Sequence, residues 1–355
     1  MGSYSRDDCI FVLKNINGML KEQSNEEREK AIQRGVHYSE MLPIEYVPNE
    51  EYMDLFYSTL ASTASKIAGH VATVCEQIIR QRGEDVILVS LARAGTPIGV
   101  LIKRYIKYKF GLNLPHYSIS IIRGKGIDEN ALLYIISRHQ STNLQFIDGW
   151  TGKGAIAGAL FKACSEFENK YKISLSPDLA VLSDPAKCAP IYGTREDFLV
   201  PSACLNSTVS GLISRTVLRD DIIGSYDFHG AKYYTEWAKE DVSNFFVDSI
   251  ARYFLQAEPD RSIIDGEKEV LNNGIKEVMR IKEEFGIPDI NMVKPGVGET
   301  TRVLLRRIPW KILVDSKENP YIKHILLLAE DRKVPVEEYK NMSYSCCGLI
   351  KTMDQ

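Results

Sequence analysis

The chain lacks most of the features that identify a protein at a glance. Its 355 residues include 7 cysteines but no Cys-x-x-Cys pair; five stand alone and two, Cys346 and Cys347, are adjacent. That spacing argues against a disulfide scaffold and a zinc site, and it suits a reducing compartment in which most thiols are small buried hydrophobes. No apolar run approaches the roughly 18 residues of a membrane helix, and the opening MGSYSRDDCIF lacks the basic-then-apolar order of a secretory leader. A cytoplasmic protein without a membrane partner is therefore expected. The net charge of −3 gives no global nucleic-acid signature, and there is no internal repeat or low-complexity tract. Hydrophobic content of 44% and charged content of 26% are ordinary for a globular chain long enough for two or three domains.

Charge is nevertheless uneven. From Met292 onward there are 11 Lys and Arg against 8 Asp and Glu, whereas the rest holds 33 against 39. A basic tail on an acidic body points to a separate partner for the C-terminal part.

Strand and helix signals alternate through the body. Met53, Phe56, Leu60, Ala64, Ile67, Val71, Val74 and Ile78 step by three and four, predicting a long amphipathic helix. VILVSL (86–91), His116 to Ile122, Phe146-Ile147 and LAVLSD (179–184) read as buried strands. The stripe Ile10, Phe11, Leu13, Ile16 and Leu20 predicts short helices over 5–35. The result is an α/β fold with a mostly parallel sheet and flanking helices, whose ligand site lies beyond the C-terminal strand ends.

Three glycine-bearing loops fall at those ends. The central one follows Asp148: Gly149, Trp150, Thr151, Gly152, Lys153 and Gly154, then an alanine-rich helix. An acid, a glycine-rich turn and a helix start can surround a phosphate with backbone N–H groups. It is not a Walker A loop, because Gly154 follows Lys153 where serine or threonine is needed. The second is Arg93, Ala94, Gly95 and Thr96, an anion cradle. The third is Arg123-Gly124-Lys125-Gly126, a basic and flexible loop. A phosphorylated ribose carrying a pyrophosphate would engage all three. Ser207, Thr208, Ser210 and Arg215 are candidates to complete an acceptor or anion pocket.

In the order and kind of these loops the chain resembles the type I phosphoribosyltransferases over roughly residues 35–220. The resemblance implies catalytic roles for Asp148, Arg123 and Lys125, with substrate held by Arg93 to Thr96, Gly149 and Thr151 to Gly154. It also implies Mg²⁺ carried with the pyrophosphate, and it admits a homodimer. One departure is that Gly149 stands where that family has a second acid.

The C-terminal words KPGVGETTRVLLRRIPWKILV and CCGLI resemble the Pelota and kink-turn RNA-binding fold, with Cys347-Gly348-Leu349 as a closing turn. That likeness implies RNA contacts by Lys294, Gly296, Gly298, Glu299, Arg302, Arg306 and Arg307. Together with HYSEMLP and IDGWTGKG, it resembles the phosphoribosyltransferase-like proteins of bacterial tellurite and stress-resistance clusters, also labelled cysteine protease StiP. The expected organisation is an N-terminal extension (1–34), a transferase-like body (35–250), a helical linker (251–286) and an RNA-binding domain (287–355). Two alternatives to transfer stay open. One is a non-catalytic ribose-phosphate sensor on RNA. The other is a cysteine hydrolase with Cys204 as nucleophile, His229 as base and Asp227 as orienter.

Overall fold

A computed structural model describes residues 1–45, 47–266, 273–340 and 342–350. Its main sheet runs in the order Ile10–Phe11, His116–Ile122, Ile87–Ala92, Leu144–Trp150, Leu179–Ser183, Ile191–Thr194, with every pair parallel. The short strand Gly126–Ile127 folds back antiparallel onto His116–Ile122. Continuous apolar strands need cover on both faces, and they have it. The helices Glu50–Arg82, Gly95–Phe110 and Ser243–Ala251 bury one face, and Glu129–His139 and Ala155–Tyr171 bury the other.

The predicted long helix spans Glu50–Arg82, and its buried stripe follows the three-and-four spacing. The Asn49 side chain accepts from the Tyr52 N–H at its start, and Gly83, at φ 79°, ends it. Close packing of helix on sheet is set at Gly95, where a Cβ would lie 2.3 Å from the Ile147 carbonyl oxygen.

The N-terminal expectation is corrected. The stripe from Ile10 to Leu20 does not form helices, because Ile10–Phe11 pairs with the edge of the main sheet and Lys14–Asn15 pairs with Gly230–Ala231. Phe11, Leu13 and Ile16 are buried by these long-range pairings, which overrode a helix-like spacing. The only α-helix in this stretch is Asn25–Gln33.

The C-terminal part forms a four-stranded sheet in the order Val293–Pro295, Cys346–Ile350, Pro309–Val314, Val336–Glu338. Cys347 to Leu349 is thus no closing turn but part of an inner strand with partners on both sides. Alternation along that strand sends the adjacent cysteines to opposite faces: Cys347 packs with Val278, Ile281 and Val293, and Cys346 joins the large core of the body. Val297, Leu304, Ile312 and Ile325 share that same core, so the two parts are packed into one mass. No helix among the described residues is long and apolar enough to cross a membrane.

Candidate functional site

A cavity of about 900 Å³ opens at the C-terminal ends of the parallel strands, as expected. Arg93, Ala94, Arg123, Asp148 and the run Trp150 to Ala157 line it. Two long helices, Gly95–Phe110 and Ala155–Tyr171, start at this cavity, and neither has a side-chain cap or an acid in its first turn. Both dipoles favour an anion, and the helix Ala155–Tyr171 adds its N-terminal N–H groups; in Gly95–Phe110 the Thr96 N–H is taken by the Arg93 carbonyl and Pro97 has none. Gly154 precedes the second helix at φ +80°, a left-handed turn that suits glycine.

Not every expected residue reaches the wall. Gly95 abuts Ile147, and Gly149 faces the Ala94 carbonyl oxygen, 3.4 Å from where its Cβ would stand. Thr96 is buried with its hydroxyl on Ser118 at 2.8 Å. Lys125 lies 3.8 Å from Glu40 and does not line the cavity. The Arg123–Gly126 loop is a tight hairpin turn closed by Lys125 N–H on the Ile122 carbonyl, so it is ordered rather than loose.

Several wall residues carried no sequence signal. Glu45, between the short strand Leu42–Pro43 and the helix Glu50–Arg82, pairs with Arg93, whose guanidinium also donates to the Ile213 carbonyl. Arg93 is therefore held by protein groups and is not an empty cradle. Tyr38 and Trp150 present aromatic rings. Arg215 and Arg123 stand over Tyr38, 4.9 and 5.8 Å from its centroid, and Arg302 stands 5.1 Å over Trp150. Ser207, Thr208 and Arg215 do line the cavity; Ser210 instead bonds the Asn206 carbonyl. The Thr151 hydroxyl donates to Asp184 at 2.6 Å, which fixes the loop from beneath.

The RNA-binding candidates close the same cavity from the other side. Lys294, Glu299, Arg302 and Arg307 line it. Gly296 faces the buried Asp197, and Gly298 packs on the Trp150 ring at 3.3 Å from its virtual Cβ. The Arg306 side chain lies outside the described residues. Asp197 accepts from the Val297 and Ser345 N–H groups at 2.9 Å each, capping the helix Val297–Arg306 from the body. Arg302 donates to the Ala203 carbonyl, Tyr344 to the Gly152 carbonyl and Lys153 to the Ile290 carbonyl.

Charge in this chamber is shifted accordingly. Enclosure lifts the Asp148 carboxyl to about 7, with the Gly149 N–H and Arg302 opposing. Burial lowers the Lys153 ammonium to about 8, and Lys294 and Arg123 push the same way. Burial works against Glu299, but Arg302, Lys294 and Arg123 hold its carboxyl below the usual range.

All seven cysteines are buried, and none lines the cavity. Burial pushes six of the thiols up, Cys188 to about 11. Cys204 lies just behind the wall segment Asn206 to Thr208. Asp227 does not orient His229: it is engaged by Lys14 at 2.6 Å and by the Gly224 N–H. The His229 imidazole is held by the Ser120 hydroxyl, and its backbone N–H donates to Asp128.

Residues 2–251 match the family described as tellurite-like stress resistance cysteine protease StiP. The chain belongs to the StiP family. Residues 272–352 match the Pelota RNA-binding domain, which supports RNA as the partner of the C-terminal part. A relative from Acinetobacter baylyi (strain ATCC 33305 / BD413 / ADP1), named cysteine protease StiP, is 32% identical over 348 residues, covering 95% of this chain and 90% of its own length.

These findings overturn phosphoribosyl transfer as the expected activity, together with its pyrophosphate substrate. The family and the relative are both named for cysteine proteolysis. In the structure Lys125 is turned onto Glu40, and Gly95 and Thr96 are packed against strands.

Proposed function

We propose that this chain is an RNA-directed stress-resistance hydrolase of the cysteine-protease kind, with Cys204 as its nucleophile and the cavity as its substrate chamber. The observation that carries this reading is the match of residues 2–251 to the StiP family. Position supports the choice of thiol. Cys204 ends the short turn Pro201–Ala203 and directly precedes the Leu205–Thr208 stretch, whose last three residues line the cavity. That turn is clamped by Arg302 on the Ala203 carbonyl, so the buried thiol becomes reachable only when the turn shifts. Cleavage of an unfolded protein substrate by the full chain is expected to vanish in Cys204→Ala and to persist in Cys188→Ala. Full activity in Cys204→Ala, or none in the wild type, would overturn the assignment.

A second reading is favoured by the cations and uncapped helix starts of the wall: a phosphate-bearing ligand, such as a ribose phosphate, bound without transfer. Its body would keep the type I sheet plan. Because no group of three or more acidic, His or Cys side chains among the described residues forms a cage, a magnesium ion would have to arrive already held by the phosphate. Raising pH through about 7 ionises Asp148, and through about 8 it discharges Lys153. The first adds a negative charge to the chamber and the second removes a positive one, so its net charge falls at both steps. Sulfate, whose own charge is constant there, is expected to bind several-fold more weakly at pH 9 than at pH 6 by calorimetry. Asp148→Asn is expected to flatten the lower limb of that curve.

A further inference from the structure

We infer that the cavity receives a phosphorylated single-stranded end of RNA, read jointly by the body and the C-terminal module. The inference goes beyond the hydrolase reading and does not depend on Cys204.

Its starting point is the direction in which the RNA module faces. The loop and helix start expected to touch RNA, Gly296 to Arg302, are directed at the body. Glu299 and Arg302 line the cavity, as do the flanking Lys294 and Arg307. Asp197, the Tyr344–Gly152 bond and a shared apolar core hold the module in that position. RNA read by this face must therefore place nucleotides inside the cavity.

The opposite wall is suited to them. Tyr38 and Trp150 offer rings that already stack guanidinium groups, and Arg123, Lys153 and Arg215 add positive charge. Aromatic faces interleaved with cations are the chemistry of single-stranded nucleic-acid binding. The Thr208 hydroxyl, in a residue 1% exposed on the cavity wall, has no hydrogen-bond partner among the described residues. A space of about 900 Å³ holds one or two nucleotides and excludes a double helix. A chain end is the part of an RNA that can enter such a space, and the uncapped start of the helix Ala155–Tyr171 gives a terminal phosphate its place.

The test uses the full chain and fluorescently labelled tetraribonucleotides carrying a 5′-phosphate, a 3′-phosphate or neither, beside a circular RNA of the same bases and adenosine monophosphate. One phosphorylated end is expected to bind at least about tenfold more tightly than the unphosphorylated and circular RNAs, and the two phosphorylated forms show which end is used. Tyr38→Ala removes a ring of the body and is invisible to a module that reads RNA alone, whereas Lys153→Ala also removes the bond to the Ile290 carbonyl of the module. Each is expected to weaken that binding by about tenfold. Trp310→Ala, on a partly exposed face of the module, is expected to leave it unchanged. The proposal is overturned if the body variants bind like the wild type while their melting curves match it. It also falls if circular RNA binds equally well, or if the monophosphate binds and the oligonucleotides do not. Cys204→Ala is expected to bind RNA normally, so failure of the hydrolase reading leaves this result separate.

Discussion

Asp197→Ala is expected to destabilise the full chain by about 3 kcal/mol, because two buried N–H groups lose their acceptor at once. The carboxylate is 7% exposed and accepts from Val297 at the start of a helix and from Ser345 before an inner strand. Ser345 also donates its hydroxyl to the Asp197 carbonyl, which adds a second tie between the same two residues. Urea denaturation is the measurement, and a loss under about 1 kcal/mol would show that the seam is held by apolar packing alone. The same group sets a pH trend. Burial pushes its carboxyl up to about 7, against N–H donation from Val297 and Ser345 that pulls it down. The unfolded value is about 4. The folded state thus holds the proton more tightly between those values, and this group's contribution to stability falls as pH climbs from about 4 to about 7. Asp197→Asn keeps one acceptor and is expected to remove that slope.

Gly95→Ala is the second large effect, expected at about 3 kcal/mol. Its new Cβ would stand 2.3 Å from the Ile147 carbonyl oxygen and 3.1 Å from the Asp148 Cα, both backbone atoms of the strand beneath. Neither can swing aside as a side chain would, so helix and strand must separate. Because the displaced strand carries Asp148, sulfate binding is expected to weaken along with the melting temperature. Gly124→Ala provides the contrast. It has φ +81° and its nearest neighbour is the tip of His37 at 3.5 Å, so its cost is conformational and local. Equal losses for the two would argue against close packing as the cause.

Much of the body was legible because its signals are local. Continuous apolar strands, a three-and-four stripe from Met53 to Ile78 and glycine-bearing turns at strand ends all depend on neighbours in sequence. Asp148 and Thr151 to Gly154, which those turns single out, line the cavity. What escaped was set by distant partners. Ile10–Phe11 is a strand only because His116–Ile122 lies beside it. Glu45 matters because the fold brings it to Arg93, and nothing in its own stretch announces that pair. Lys125 looked like a mobile cation because its loop is basic and glycine-flanked, whereas a hairpin closed on Ile122 points it to Glu40. Activity was least legible. A phosphate-like loop is shared by many chemistries, and the small polar residues around Cys204 mark it only weakly.

The bond from Tyr344 to the Gly152 carbonyl has a practical consequence for dissecting the chain. Two recognisable sequence units invite a truncation near residue 251, as though each part were a bead on a string. Such a cut would take away Lys294, Glu299, Arg302 and Arg307 and leave a trough where there is now a chamber. Assays on the isolated halves would therefore report on two objects with new surfaces, and their results would not add up to the behaviour of the whole.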